Sequence, residues 1–146
     1  MISLDTNILF FAFAQDRVEH EKAAGFIDEY SARTDVILCE FMLIELYRLL
    51  RNPAVLKKPL QPKEAVEVVQ AWRSHPSWRL AGFAPESKRL HDELWKIAAR
   101  PGFAYRRVYD ARLALVLRHE GVKEFATANV KDFESFGFDR VWNPLG

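Results

Sequence analysis

Short apolar runs alternate with longer amphipathic segments along this chain, and no other feature narrows the fold as much. The runs at residues 2–4, 36–39, 78–83, 124–127 and 138–142 are brief and rich in β-branched or aromatic side chains, as strands are. Between them apolar residues recur at helical spacing over 7–14, 20–32, 41–51, 86–100 and 107–120. A further helix opens at Pro62, where proline suits the first turn, and sets Ala65, Val66, Val69 and Trp72 on one face. Asn52-Pro53, Pro101-Gly102 and Gly121 supply the stops, and 53–62 is a loop carrying Lys57 and Lys58. Short strands separated by helices predict an α/β domain with a mainly parallel sheet. In such a sheet ligands gather beyond the carboxyl ends of the strands, where the strand order reverses.

The 146 residues fit one domain, 1–146, and the 49% hydrophobic content suffices for a core without disulfides or a structural metal. Cys39 is alone, inside the run Val36-Ile37-Leu38-Cys39, so no internal disulfide exists and a buried, inert thiol in a reducing compartment is expected. The apolar stretch 8–14 is too short to cross a bilayer and follows Asp5 rather than a basic region. Neither a signal peptide nor a membrane anchor is read, and the cytoplasm is the expected location.

The net charge of +1 hides an asymmetry. Residues 1–46 hold 3 Lys/Arg and 9 Asp/Glu, residues 47–107 hold 13 and 5, and residues 108–146 hold 5 and 6. A basic middle gripping a polyanion, while acids from the two ends act on it, would explain the split; a solvated basic helix face is the plain and weightier alternative.

Four acids sit beside or within apolar runs, where an unpaired carboxylate is costly to desolvate. Asp5 ends the first strand in Leu4-Asp5-Thr6-Asn7, with Asn7 near enough to orient it; Thr6 is a plausible cap, and for Asp5 too helix capping is the plain alternative. Glu45 shares a helix face with Phe41, Met42 and Leu49, and its plain alternative is a salt bridge to Arg48. Asp110, in Tyr109-Asp110-Ala111-Arg112, shares a face with Leu113, Ala114 and Leu117, although a helix start by itself favours an acid. Asp132 lies in Asn129-Val130-Lys131-Asp132-Phe133, where a surface position on a short turn anchored by Phe133 and Phe136 serves as well. Converging carboxylates of this kind suit one or two hard divalent cations, Mg²⁺ or Mn²⁺, which activate water and orient a phosphodiester.

Other chemistries find no support. His20, His75, His91 and His119 lack zinc-ligand spacing with one another or with Cys39, and there is neither a phosphate-binding glycine loop nor a nucleophile elbow. Trp72, Trp78, Trp95 and Trp142 fall in expected helices or strands and are assigned to the core.

With these residues in view the whole chain resembles the PIN-domain ribonucleases, and among them the VapC toxins of type II toxin–antitoxin pairs. The resemblance rests on the opening Leu4-Asp5-Thr6-Asn7, on Glu45, on residues 109–114 and on residues 126–133, in that order. It implies a three-layer fold with a central sheet of four or five strands flanked by helices. It also implies Mg²⁺- or Mn²⁺-dependent cleavage of RNA, tRNA or rRNA among the targets, by a metal-activated water, with Asp5, Glu45 and Asp110 as metal ligands and Thr127 and Asn129 organising the site. Arg48, Arg107, Arg112 and Lys131 are then candidates to contact the RNA. A VapB-like antitoxin and a homodimer are the implied partners. One departure stands: Asn129 occupies the position two residues after the threonine where many members carry a fourth acid, which weakens a second metal and leaves Asp132 as the substitute. Two other functions stay open at this stage, a non-catalytic α/β binding module that uses the basic middle, and a PIN-like nuclease acting on other nucleic-acid or phosphomonoester substrates.

Overall fold

All five apolar runs form strands, each of only three residues, and every strand pairing is parallel. The computed structural model describes residues 1–146. In chain order the elements are β1 (Ile2–Leu4), α1 (Thr6–Phe13), α2 (His20–Tyr30), β2 (Ile37–Cys39), α3 (Glu40–Leu50), α4 (Pro62–Arg73), β3 (Arg79–Ala81), α5 (Ser87–Ala98), α6 (Val108–His119), β4 (Glu124–Ala126), α7 (Val130–Phe133) and β5 (Arg140–Trp142). A single 3₁₀ turn, Tyr105–Arg107, leads into α6.

The strands fall into two ladders, β1-β4-β5 and β2-β3. One parallel bridge, Ile2 to Val36, joins them, with the Ile2 N–H donating to Asp35 O at 2.8 Å. The spatial order is therefore β3-β2-β1-β4-β5, and it reverses between β1 and β4. The buried Ser3 side chain spans the gap in the ladder, its hydroxyl donating to Ile37 O at 2.6 Å and so satisfying a carbonyl that backbone pairing leaves free. Asp5 and Thr127 follow the last residues of β1 and β4, which places both at the point of reversal.

Local sequence explains the helix ends that set the site. Pro62 occupies the first turn of α4, and Gln61 and Glu64 complete a capping box, the Gln61 N–H donating to Glu64 Oε1 at 3.0 Å. Gly121 adopts φ +91°, and the Val122 N–H reaches back to Leu117 O at 3.0 Å, closing α6 and turning the chain into β4. The core gathers Leu4, Ile8, Ile37, Met42, Leu117 and Phe125, all fully buried. Phe125 stacks on Phe138 at 5.2 Å and meets Phe133 at 4.6 Å, which ties the short α7 to the sheet. α1 packs on α2 and α3, α3 also on α4, and α5 lies along α6.

The expected boundaries hold to within a few residues, except that the strand expected over 78–83 pairs only through Arg79–Ala81. Trp95 was assigned to the core and is instead exposed, because it lies on the outer side of α5 while Leu94 beside it turns inward. Cys39 is buried, and burial raises its thiol above the ordinary range, in keeping with an inert side chain. No helix is long and apolar enough to cross a membrane.

Candidate active site

Asp5 occupies the N-cap position of α1, yet its side chain makes no cap hydrogen bond. Instead Oδ2 accepts the Thr127 hydroxyl at 2.8 Å, and the Asp5 N–H donates to Ala126 O at 2.8 Å. The capping alternative for Asp5 is thus not realised. The Thr127 oxygen in turn accepts the Asn129 N–H at 2.9 Å, so one buried hydroxyl orients the acid and pins the turn that leads to α7. Asn7 Oδ1 accepts the Ala128 N–H at 3.5 Å, a long contact between α1 and the same turn.

Glu45 comes from α3. Thr6 stands between it and Asp5 in the chain's path, its hydroxyl donating to Met42 O at 3.3 Å and lying 3.4 Å from Glu45 Oε2. Glu45 is exposed and forms no ion pair with Arg48, so the salt-bridge alternative is absent as well. Asp110 is half-buried in the first turn of α6, and Asp132 is half-buried in α7.

These acids act on one another. Asp5 is only 9% exposed, and burial is the main cause that pushes its pKa up to about 7; the charges of Glu45 and Asp110 add to the rise, while the Thr127 hydrogen bond opposes it. Burial likewise lifts Asp110 to about 6, followed by the charges of Asp132 and Glu45, with Arg107 opposing. None of the protein's six ion pairs involves any of the four acids. As placed, no three His, Cys, Asp or Glu side chains close into a cluster tight enough for an ion. The donor chemistry nevertheless fits a hard cation, because the converging groups are oxygen donors, they repel one another, and no Lys or Arg is paired with them.

A PIN-domain family model matches residues 2–139. Ribonuclease VapC24 of Mycobacterium tuberculosis is 51% identical over 145 residues, 99% of this chain and 97% of that protein. The chain belongs to the VapC ribonucleases of the PIN-domain family. Ribonuclease VapC48 of the same organism is 26% identical over 98% of this chain and 97% of that protein. The crystal structure of Mycobacterium tuberculosis VapC20, described as a sarcin-ricin loop cleaving toxin, superposes with a TM-score of 0.64 at 18% identity, covering 86% of this chain and 87% of that one, and so speaks for the fold.

The basic residues expected around a VapC site divide. Arg107 is engaged inside the protein: Nη2 donates to Asp132 O at 3.0 Å and to Ser135 Oγ at 3.2 Å, and the guanidinium lies 4.9 Å from the Phe136 ring centroid. These contacts brace α7 against the start of α6, while the buried Arg107 Nε has no acceptor. Arg112 covers the Phe41 ring at 3.7 Å, and its buried Nε has no acceptor. Arg48 and Lys131 are exposed without ion-pair partners.

A cavity of about 660 Å³ opens beside the acids, with Glu45 and Asp110 in its wall. Arg106, Tyr109 and Phe83 also line it, and sequence reasoning passed over all three as site residues. For Tyr109 the signal was there, an aromatic residue adjoining Asp110 on a helix surface. Phe83 gave none, since it extends an apolar run that looks like strand.

Proposed function

We propose that this protein is the toxin of a VapBC pair, a Mg²⁺- or Mn²⁺-dependent endoribonuclease that hydrolyses an RNA phosphodiester with Asp5, Glu45 and Asp110 as the metal ligands. One observation carries the reading: Asp5 at the end of β1, Glu45 of α3 and Asp110 of α6 stand near enough for their charges to act on one another, and none of them is in an ion pair. Asp5, Glu45 and Asp110 would hold a divalent ion there, which would supply an activated water and neutralise charge at the phosphate. Asp5 and Asp110 must shed protons to ligate it, so affinity rises with pH through the range in which they titrate.

The chain's own groups have distinct tasks. Thr127 holds Asp5 in one orientation, and Asn129, uncharged, fixes the turn through its backbone N–H rather than adding a fourth carboxylate. Asp132 adds negative potential next to Asp110 and is a reserve ligand. Arg48, Arg107, Arg112 and Lys131 are the groups for the RNA, Arg107 also bracing α7. Membership of the VapC group supports an RNA substrate, with tRNA and rRNA both open, a VapB-like antitoxin, a homodimer and action in the cytoplasm.

The test is incubation of the purified protein with mixed tRNA and rRNA in Mg²⁺ or Mn²⁺ and again in EDTA, alongside Asp5→Asn and Asp110→Asn. Discrete fragments that vanish with EDTA and in both variants are expected. Cleavage that survives EDTA would remove the metal from the mechanism, and cleavage by Asp5→Asn at the parent rate would remove the site. DNA flaps and phosphomonoesters in the same panel decide the substrate class.

A further inference from the structure

The cavity beside the acids combines features that the hydrolytic step does not need. Phe83 is 89% exposed and Tyr109 74% exposed, although large aromatic side chains are ordinarily kept from water. Both line the cavity, Tyr109 next in sequence to Asp110, and Phe83 edge-on to Phe41 at 6.3 Å. Three guanidinium groups share the wall, those of Arg48, Arg106 and Arg112, and none is in an ion pair. The Arg112 Nε is buried with no acceptor, while the residue itself lines the cavity.

We propose that this cavity is a nucleobase subsite, in which one unpaired base of the RNA next to the scissile phosphate stacks on Phe83 and Tyr109 while Arg48, Arg106 and Arg112 take its phosphate and carbonyl oxygens. This rests on the ribonuclease reading above and deepens it. The volume lies within the range of about 300–1,000 Å³ usual for small-ligand sites. Exposed aromatic faces with free arginines are the combination that single-stranded nucleic acid requires, stacking for the base and positive charge for the backbone. A polyanion is favoured over a basic protein segment because the three unpaired cations of the wall attract the one and repel the other. The base must be unstacked to offer its faces, so the subsite selects loops, bulges and single strands over duplex. Because Glu45 and Asp110 share the wall, a nucleotide seated there brings its phosphate to the acids.

The probe is a set of short single-stranded RNA oligonucleotides carrying 2-aminopurine at successive positions, bound in Mg²⁺ to Asp5→Asn, which should hold RNA without cutting it. Quenching is expected at one position only, and not for the same sequence in duplex. Phe83→Ala and Tyr109→Ala in that background should each weaken binding roughly 5- to 100-fold, the range that loss of one stacking partner produces. Phe83→Tyr and Tyr109→Phe, which keep the rings, should restore it. In the active parent the alanine changes should raise KM more than they lower kcat, and melting temperatures should stay put because both side chains are exposed. Alanine variants that bind and cleave like the parent would overturn the subsite while leaving the ribonuclease intact. Variants that keep RNA binding but escape inhibition by the antitoxin would overturn it too, making the cavity a protein-docking surface. A parent that cleaves no RNA would instead bring down the ribonuclease reading, and the subsite with it.

Discussion

Replacing Asp5 with Asn should make the metal-free protein more stable, by an amount that grows with pH. The folded protein holds the Asp5 proton more tightly than the unfolded chain does, with a pKa of about 7 against the ordinary 3.8. Stability from this group is therefore complete below about pH 4 and is lost as pH rises through about 7. The full difference, at about 1.4 kcal/mol per pH unit, comes to about 4 kcal/mol at pH 8 and less than about 1 kcal/mol at pH 4. Asn keeps an oxygen to accept the Thr127 hydroxyl and offers its amide to the neighbouring carboxylates, so it escapes the penalty without opening a void. Urea unfolding of both proteins in EDTA from about pH 4 to 8 measures the gap directly, and thermal unfolding should show it as roughly 10 °C at the upper end. Other acids titrate over the same range, but they are common to both proteins and largely cancel in the difference. A gap that stays flat with pH, or a variant less stable than the parent at pH 8, would refute the account of Asp5 as a buried charge held at a cost.

Added Mn²⁺ should reverse that order, stabilising the parent by about 2.7 kcal/mol at a hundredfold excess over its Kd and doing little for Asp5→Asn, as melting curves with and without the ion would report. Thr127→Val removes the donor to Asp5 and should move the acidic limb of the pH–activity profile to higher pH, whereas Thr127→Ser should leave it in place. Arg107→Ala takes away two hydrogen bonds and the contact with Phe136, and should cost about 1–3 kcal/mol in urea unfolding while raising hydrogen exchange in α7.

How far the site was legible in the sequence depended on whether each residue's environment is local. Asp5 and Asp110 are flanked by their own apolar neighbours, so the sequence already says that their charge will be desolvated. Thr127 was placed by its position after a strand, but its hydrogen bond joins residues 122 positions apart and becomes visible only once β1 and β4 pair. For Arg107 the sequence shows a guanidinium near acids and no more, because its contacts with Ser135 and Phe136 come from another part of the chain. The strands were found from composition and punctuation, whereas the break between two ladders left no trace, since three-residue runs do not record which neighbours they bond. Trp95 shows the same limit, because its size suggests burial and only the packing of α5 on α6 reveals that Leu94 is the residue turned inward.

That break gives Ser3 an importance far from any chemistry. Asp5 rides on the ladder of β1, while Glu45 follows β2 on the other, and between the two lie one backbone bridge, the Ser3 hydroxyl and the Thr6 hydroxyl. The spacing of the two acids is thus set by the packing of α1 on α3 and by a line of small polar side chains across the gap in the ladder. Drift along that line would change how well the acids grip an ion without altering any of them, and a loaded ion would act as a rivet across it. Ser3→Ala, which touches no substrate, is accordingly a change that should loosen the site from behind.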